Sequence, residues 1–366
     1  MDMTPYLKLM AEKEASDLFF CTGTEPQLKI QGVIRPIGNK KMLPGEVEQL
    51  ANALMNEQQR AEFQSVMEMN FAVPLKDVGR FRVNVFRQRG EVSIVIRYIK
   101  SKIPKFEEMN LPDVLGNIII EKRGLILVVG STGSGKSTTL AAMIGHRNQT
   151  TNSHILTIED PLEFVHAHAR SIVQQREVGI DTLSYENALK NALREAPDVI
   201  LIGEIRDMET MKHAINYAET GHLCLATLHA NNANQALDRI LNFFPEAIHR
   251  QLLMDLSLNL RAIVSQRLLP SKQGGLVPAV EVMLSTPFIA ELISKGDIGG
   301  IKEAMKDSSA PGTITFDQAL LQLFYDGKIS MEEALQNADS KNDVSLEIRM
   351  NSSHDDADGH SELIMN

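Results

Sequence analysis

Apolar residues recur with two different rhythms along the chain, and the change of rhythm divides it. In residues 5–16, Leu7, Met10 and Ala11 fall on one face, which predicts a short helix. Residues 17–21 and 27–34 read as strands, set off by Gly23, Pro26 and Gly32. Pro44-Gly45 opens a helical stretch carrying Val47, Leu50, Ala51 and Leu54, and another helix is expected over 58–67. The clearest hairpin follows. Phe81, Val83 and Val85 alternate with Arg82 and Asn84. Gln88-Arg89-Gly90-Glu91 supplies the turn, and Val92, Ile94 and Ile96 resume the alternation. Residues 1–98 are expected to form a small α+β domain.

Residues 99–112 hold Pro104 and Pro112, few large apolar side chains and mixed charge, and are expected as a linker. From Asp113 the alternation stops. Continuous apolar runs at 125–129, 154–158, 199–202 and 223–226 are separated by helical segments. That pattern predicts a parallel sheet covered on both faces, and so an α/β domain, placed at 113–270. Residues 245–335 read mostly as helix, broken at 271–275 and 308–312, so 271–338 are expected as a helical C-terminal region. Residues 339–366 are polar and acidic. They hold too little apolar surface to offset the entropy of ordering, and a disordered tail is expected.

Composition narrows the classes. The net charge is −10, the opposite of what a phosphate backbone attracts, so no nucleic-acid partner is expected. Two cysteines, Cys21 and Cys224, cannot supply a four-cysteine zinc site, and they fit a reducing compartment. The first twenty residues lack the basic start and long apolar run of a signal peptide. No apolar stretch reaches the ~20 residues of a membrane span. The expectation is a cytoplasmic protein that reaches a membrane only by recruitment.

The chemistry is concentrated in the α/β part. Gly130-Ser131-Thr132-Gly133-Ser134-Gly135-Lys136-Ser137 matches G-x-x-x-x-G-K-[ST] without a mismatch, after an apolar strand and before the helix-forming run from Thr138. Its backbone N–H groups and the helix start suit phosphate oxygens. Lys136 suits the β- and γ-phosphates, and the Ser137 hydroxyl suits Mg²⁺. Residues 131–138 are the expected nucleotide site, Ser131 through Thr138. Three further segments carry groups that hydrolysis needs. The first is Glu159-Asp160-Pro161-Leu162-Glu163, at the end of an apolar strand; alone, it fits a solvated loop equally well. The second is Asp198-Val199-Ile200-Leu201-Ile202-Gly203-Glu204, where only Glu204 stands at the tip because Gly203 occupies the place of a more usual acid. The third begins with Thr220-Gly221-His222 and ends with Thr227-Leu228-His229, two histidines at opposite ends of one apolar strand; a lone histidine is more often structural.

Taken together, these segments resemble the secretion and pilus motor ATPase superfamily. Residues 130–137 are similar to its Walker A motif, 158–163 to its Asp box, 198–207 to its Walker B motif and 220–229 to its His box. The order and spacing match over most of residues 1–335. Within the superfamily the chain is similar to the retraction branch, the PilT/PilU ATPases of type IV pili. The small domain starts near Met1, and two cysteines cannot supply the four-cysteine zinc insertion usual in the assembly and secretion relatives. Pro287-Phe288-Ile289-Ala290-Glu291-Leu292-Ile293-Ser294 keeps the apolar positions of a C-terminal helix motif of that branch, but not its basic and amide residues. That departure and the acidic tail resemble the accessory, PilU-like side of the branch.

The resemblance implies a PAS-like N-terminal domain, a RecA-like P-loop ATPase core and a helical C-terminal region. It implies a homohexamer that hydrolyses ATP with Mg²⁺ to drive pilus retraction and twitching. Expected partners are a PilT-type ATPase and a platform protein of the inner membrane. Glu163 is expected to orient the attacking water. Glu204 is expected to support Mg²⁺, through water, alongside Ser137, and His229 to contact the γ-phosphate. Arg97 or Arg82 is expected to complete the site, although charges on a solvated strand face are the competing reading. Two other functions remain open on the sequence: a nucleotide-binding structural or regulatory subunit of a mixed ATPase complex, and a nucleic-acid translocase sharing the core fold.

Overall fold

The computed structural model describes residues 2–99 and 102–358; for 352–358 only the backbone is described. Two compact units are present. One comprises Met1–Ile103, Asp160–Ala167 and Gln175–Ser184; the other comprises Pro104–Glu159, His168–Gln174 and Tyr185–Asn366.

The first unit runs α1 (Thr4–Glu12), β1 (Asp17–Phe20), β2 (Gln27–Ile30), β3 (Val33–Pro36), α2 (Glu46–Leu54), α3 (Glu57–Val66), β4 (Glu68–Leu75), β5 (Gly79–Gln88) and β6 (Glu91–Ile99). Its sheet has the order β3-β2-β1-β6-β5-β4. The hairpin read from the alternation pairs Val83 with Ile96 and Val85 with Ile94. Arg89 and Gly90 close it at φ 49° and 82°, the left-handed conformation that suits a two-residue turn. Phe81, Val83, Val85, Ile94 and Ile96 are fully buried and pack with Leu18, Phe20 and Leu50 into one core. The run at 27–34 is two strands rather than one, because Gln31 and Gly32 turn the chain at positive φ.

In the second unit, α4 (Val114–Ile118) precedes β7 (Gly124–Val129), α5 (Lys136–Thr150), β8 (His154–Glu159), β9 (Ile172–Glu177), α6 (Tyr185–Ala192), β10 (Val199–Ile202), α7 (Met208–Glu219), β11 (Leu223–Leu228), α8 (Ala233–Asn242) and α9 (His249–Asn259). Then come β12 (Leu260–Pro270), β13 (Leu276–Leu284), α10 (Pro287–Lys295), α11 (Ile301–Lys306), α12 (Phe316–Tyr325), α13 (Met331–Asn337) and α14 (Lys341–Asp358). The sheet order is β13-β12-β7-β11-β10-β8-β9. Strands β8, β10, β11, β7 and β12 run parallel. Every residue of β7, β10 and β11 is buried, which is why these strands read as unbroken apolar runs.

The structure differs from the sequence expectation in several further places. Residues 260–284, read within a helical stretch, form the hairpin β12–β13, and β12 pairs in parallel with β7. Residues 99–112, expected as a linker, overlap residues 100–101, which lie outside the described residues. Of the rest, Ile99 ends β6, while Phe106 packs against His146 with ring centroids 5.4 Å apart and Leu111 is buried, so the part from Pro104 on belongs to the second unit. Strand β9 is polar and was missed. The tail at 339–366 was expected to be disordered, yet it contains α14, whose Val344 and Ile348 are buried. Residues 359–366 of that tail lie outside the described residues.

Candidate active site

The phosphate loop is shaped from below by β12. Gly130, Gly133 and Gly135 sit at φ 155°, 80° and 91°, which L side chains rarely adopt. A Cβ on Gly130 would stand 2.6 Å from the Gln266 carbonyl oxygen, and one on Gly135 would stand 2.8 Å from Gln266 Nε2. The close approach of the β12 backbone leaves no room for a side chain at 130, and the positive φ favours glycine at 135. Thr139 Oγ1 donates to Gln266 Oε1 at 2.7 Å and ties α5 to the same strand. The loop ends at Lys136, the first residue of α5, so the N–H groups of the first turn and the positive helix end face the loop. Lys136 Nζ donates to the carbonyls of Gly130 and Ser131 at 2.9 and 2.8 Å. Burial lowers the Lys136 pKa, and the charge of Glu204 opposes that. Within the loop, Ser134 Oγ is buried with no hydrogen-bond partner among the described residues.

Two parallel strands deliver the acid and the histidine. Gly203 N donates to the Ile158 carbonyl at 2.8 Å, carrying the β10 end alongside the β8 end. A Cβ on residue 203 would lie 2.9 Å from Tyr185 Oη, 3.1 Å from Glu159 Cα and 3.2 Å from Ile158 O. That crowding explains why glycine stands where an acid is more usual. Thr227 Oγ1 donates to the Gly203 carbonyl, and Ile205 N donates to the Thr227 carbonyl at 2.9 Å, so β11 and the β10 tip are stitched together. Glu204 Oε1 then lies 2.9 Å from His229 Nε2, and Arg206 Nε donates to Glu204 Oε2. Glu204 and His229 meet at the strand ends, and the charge of Glu204 reaches Lys136. His222 is not with them: its Nδ1 lies 3.1 Å from Thr220 Oγ1 at the opposite end of β11.

Ser137 and Thr138 lie in the first turn of α5, whereas Glu163, Arg97 and Arg82 belong to the first unit. Glu163 is exposed, in the stretch Asp160–Ala167. Arg97 pairs with buried Asp17 at 2.9 Å across the β1–β6 pair. Arg82 Nε lies 3.7 Å from Glu177 Oε1, and Arg80 lies 3.8 Å from Glu177 and 3.5 Å from Asp181. Glu177 is fully buried; burial raises its pKa, while Arg82 and Arg80 pull it down. The reading of residues missed Glu177 as the partner of these arginines, because a single glutamate at the end of a polar edge strand carries no pattern. It also missed Gln266, whose strand was read as helix.

A Walker-type loop on a parallel sheet, with an acid–histidine pair beside its lysine, defines a P-loop ATPase. The pattern of the Type II/IV secretion system protein family matches residues 3–342. Among the relatives is "Type IV pilus ATPase PilU" of Pseudomonas aeruginosa, 52% identical over 99% of this chain and 95% of its own length. "Type IV pilus retractation ATPase PilT" of the same organism is 41% identical over 92% of this chain and 98% of its own. The solved structure described as the pilus retraction motor PilT with bound ADP superposes with a TM-score of 0.87, at 40% identity, over 94% of this chain and 98% of that one. The chain belongs to the type II/IV secretion family, in its PilT/PilU branch, and its fold is that of these ATPases, an N-terminal α+β domain followed by a RecA-like ATPase domain. No described helix is long and apolar enough to cross a membrane.

Proposed function

We propose that the chain is a motor ATPase of the type IV pilus machinery, acting in pilus retraction and twitching as the accessory, PilU-type member. The observation that carries the reading is the Glu204–His229 pair, 2.9 Å apart, beside an intact phosphate loop whose lysine senses Glu204. A loop kept only for binding has no need of that pair.

The proposed roles follow from the donor types. The N–H groups of residues 131–138 and Lys136 hold the phosphates of ATP. Ser137 offers a hydroxyl and Glu204 a carboxylate, hard oxygen donors that suit Mg²⁺, a cation commonly held by one or two protein oxygens plus substrate phosphates. When bound, Mg²⁺ neutralises charge developing on the phosphates. Glu204 would accept from water on a bound Mg²⁺, and His229 would donate toward the γ-phosphate. Glu163 orients the attacking water. Arg82 or Arg97 completes the charge neutralisation, and Arg82 is favoured because its partner, Glu177, is 3.7 Å away rather than directly bonded. Arg97 already donates to Asp17.

The working form is a ring of six copies in the cytoplasm. It is recruited to the inner membrane by a platform protein and works beside a PilT-type ATPase. The test is steady-state ATP turnover by the purified chain. Glu163→Gln and Glu204→Gln are expected to lower kcat at least about a hundredfold. If Glu163→Gln turned over ATP at the wild-type rate, the role of Glu163 would be wrong.

A further inference from the structure

The nucleotide loop has a second neighbour, the C-terminal segment. A cavity of about 330 Å³ beside the loop is lined by Gly130, Ser134, Asn231, Gln266, Arg267 and Asn337, among others. Arg267 joins three of the elements around it. Its Nη1 donates to the Asn337 carbonyl at the end of α13. Its Nη2 donates to Asp339 Oδ1 at 2.8 Å and to the Asn231 carbonyl at 3.4 Å. Its guanidinium carbon lies 3.9 Å from the ring centroid of Phe316, which is fully buried at the start of α12. The carbonyl at a helix C-terminus carries partial negative charge, so Asn337 O and the Asp339 carboxylate both suit the guanidinium fork.

Asp339 is itself held in place. Lys302 of α11 lies 3.3 Å from it and 3.5 Å from Asp317. Asp317 accepts from Asp339 N at 2.8 Å and from Ser340 N at 3.2 Å, fixing the turn into α14. Two cations and two carboxylates thus close a network on residues 337–340. Asn231 is two residues beyond His229, so the same guanidinium anchors the loop that carries the histidine.

We propose that Arg267 and Asp339 are positioning residues for the nucleotide site. Through them the segment 337–340 builds one wall of the loop cavity and sets the place of residues 229–231. This rests on the reading of residues 130–137 as the ATP site. Neither residue touches the reacting phosphates; each acts through the wall and the histidine loop. The segment ahead of α14 is thereby part of the site rather than a trailing end, and movement of that segment is transmitted to nucleotide affinity.

The experiment is titration of the full-length chain with a fluorescent ADP analogue and Mg²⁺. It is made on wild type, Asp339→Asn, Arg267→Gln and the double variant, with kcat and KM for ATP measured in parallel. Wild-type binding tests the site itself; absence of binding overturns both readings. Given wild-type binding, each single variant is expected to weaken affinity and raise KM by about tenfold, the scale on which misplaced site walls act. The double variant is expected to be no weaker than the worse single one, because one contact is broken either way. Arg267→Lys keeps the charge but loses the fork, and is expected to fall between. Wild-type affinity in Asp339→Asn, with an unchanged melting temperature, overturns the proposal. Additive losses in the double variant overturn it too. If Asp339→Asn melts early, Lys302→Met decides. It removes one anchor of Asp339 and leaves the Arg267 contact, so a several-fold rise in KM supports the network and an unchanged KM contradicts it.

Discussion

Burial lowers the pKa of the His166 imidazole to about 4. Unfolded, the ring titrates near 6.5. Above 6.5 both states are neutral and the group contributes nothing to pH dependence. Below it the unfolded chain takes up the proton first, so stability falls as pH drops from 6.5 toward 4. The loss at pH 5 relative to pH 7 is about 2 kcal/mol from this group. Urea midpoints of wild type and His166→Leu at the two pH values check this: the variant is expected to lose most of that difference. Gly203 offers a second test. A Cβ there meets backbone atoms of Glu159 and Ile158 at 3.1 and 3.2 Å, which cannot swing aside as a side-chain end can. Gly203→Ala is expected to cost about 1–3 kcal/mol, and turnover is expected to fall as the Glu204 tip shifts. A melting temperature and kcat equal to wild type would contradict this account of the glycine.

At the scale of elements, strength of pattern decided what the sequence could show. The β5–β6 hairpin was legible because Phe81, Val83 and Val85 alternate with polar residues and Arg89-Gly90 forms the turn. Strands β7, β10 and β11 were legible because full burial leaves unbroken apolar runs. Strand β12 was hidden. Seven of its eleven residues are buried, but Arg261, Ser265, Gln266 and Arg267 interrupt the apolar positions, so neither the helical nor the strand period stands out. The turn at 271–275, with Gly274-Gly275 at positive φ, was the available signal. Helix α14 escaped because its apolar stripe is only two residues, Val344 and Ile348, in a polar stretch. The phosphate loop was legible from motif spacing, whereas Glu204 and His229 stood out only as polar residues at strand ends and took their expected roles from the family resemblance. The partners Gln266 and Arg267 were not legible, because they lie more than a hundred residues from the loop and meet it only through sheet pairing. If α14 is docked by those two side chains, Val344→Ala and Ile348→Ala should each cost about 1–3 kcal/mol. Proteolysis in the 341–350 stretch should speed up as well; a rate equal to wild type would mean that the helix contributes no packing.

For the whole molecule, the proposed work of the chain is to hydrolyse ATP at the phosphate loop as a motor of the pilus machinery. The proposed ring of six predicts that turnover follows the fraction of hexamer. Sedimentation of the ATP-bound chain over a concentration series is expected to show mass and specific activity rising together. The most direct measurement is ATP turnover by the purified chain, wild type against Lys136→Ala, with the mass in solution recorded for both. The prediction is turnover by the wild type and a loss of at least about a hundredfold in Lys136→Ala at unchanged mass and melting temperature. Turnover that survives Lys136→Ala, or a wild type that binds ATP and never hydrolyses it, would contradict the claim.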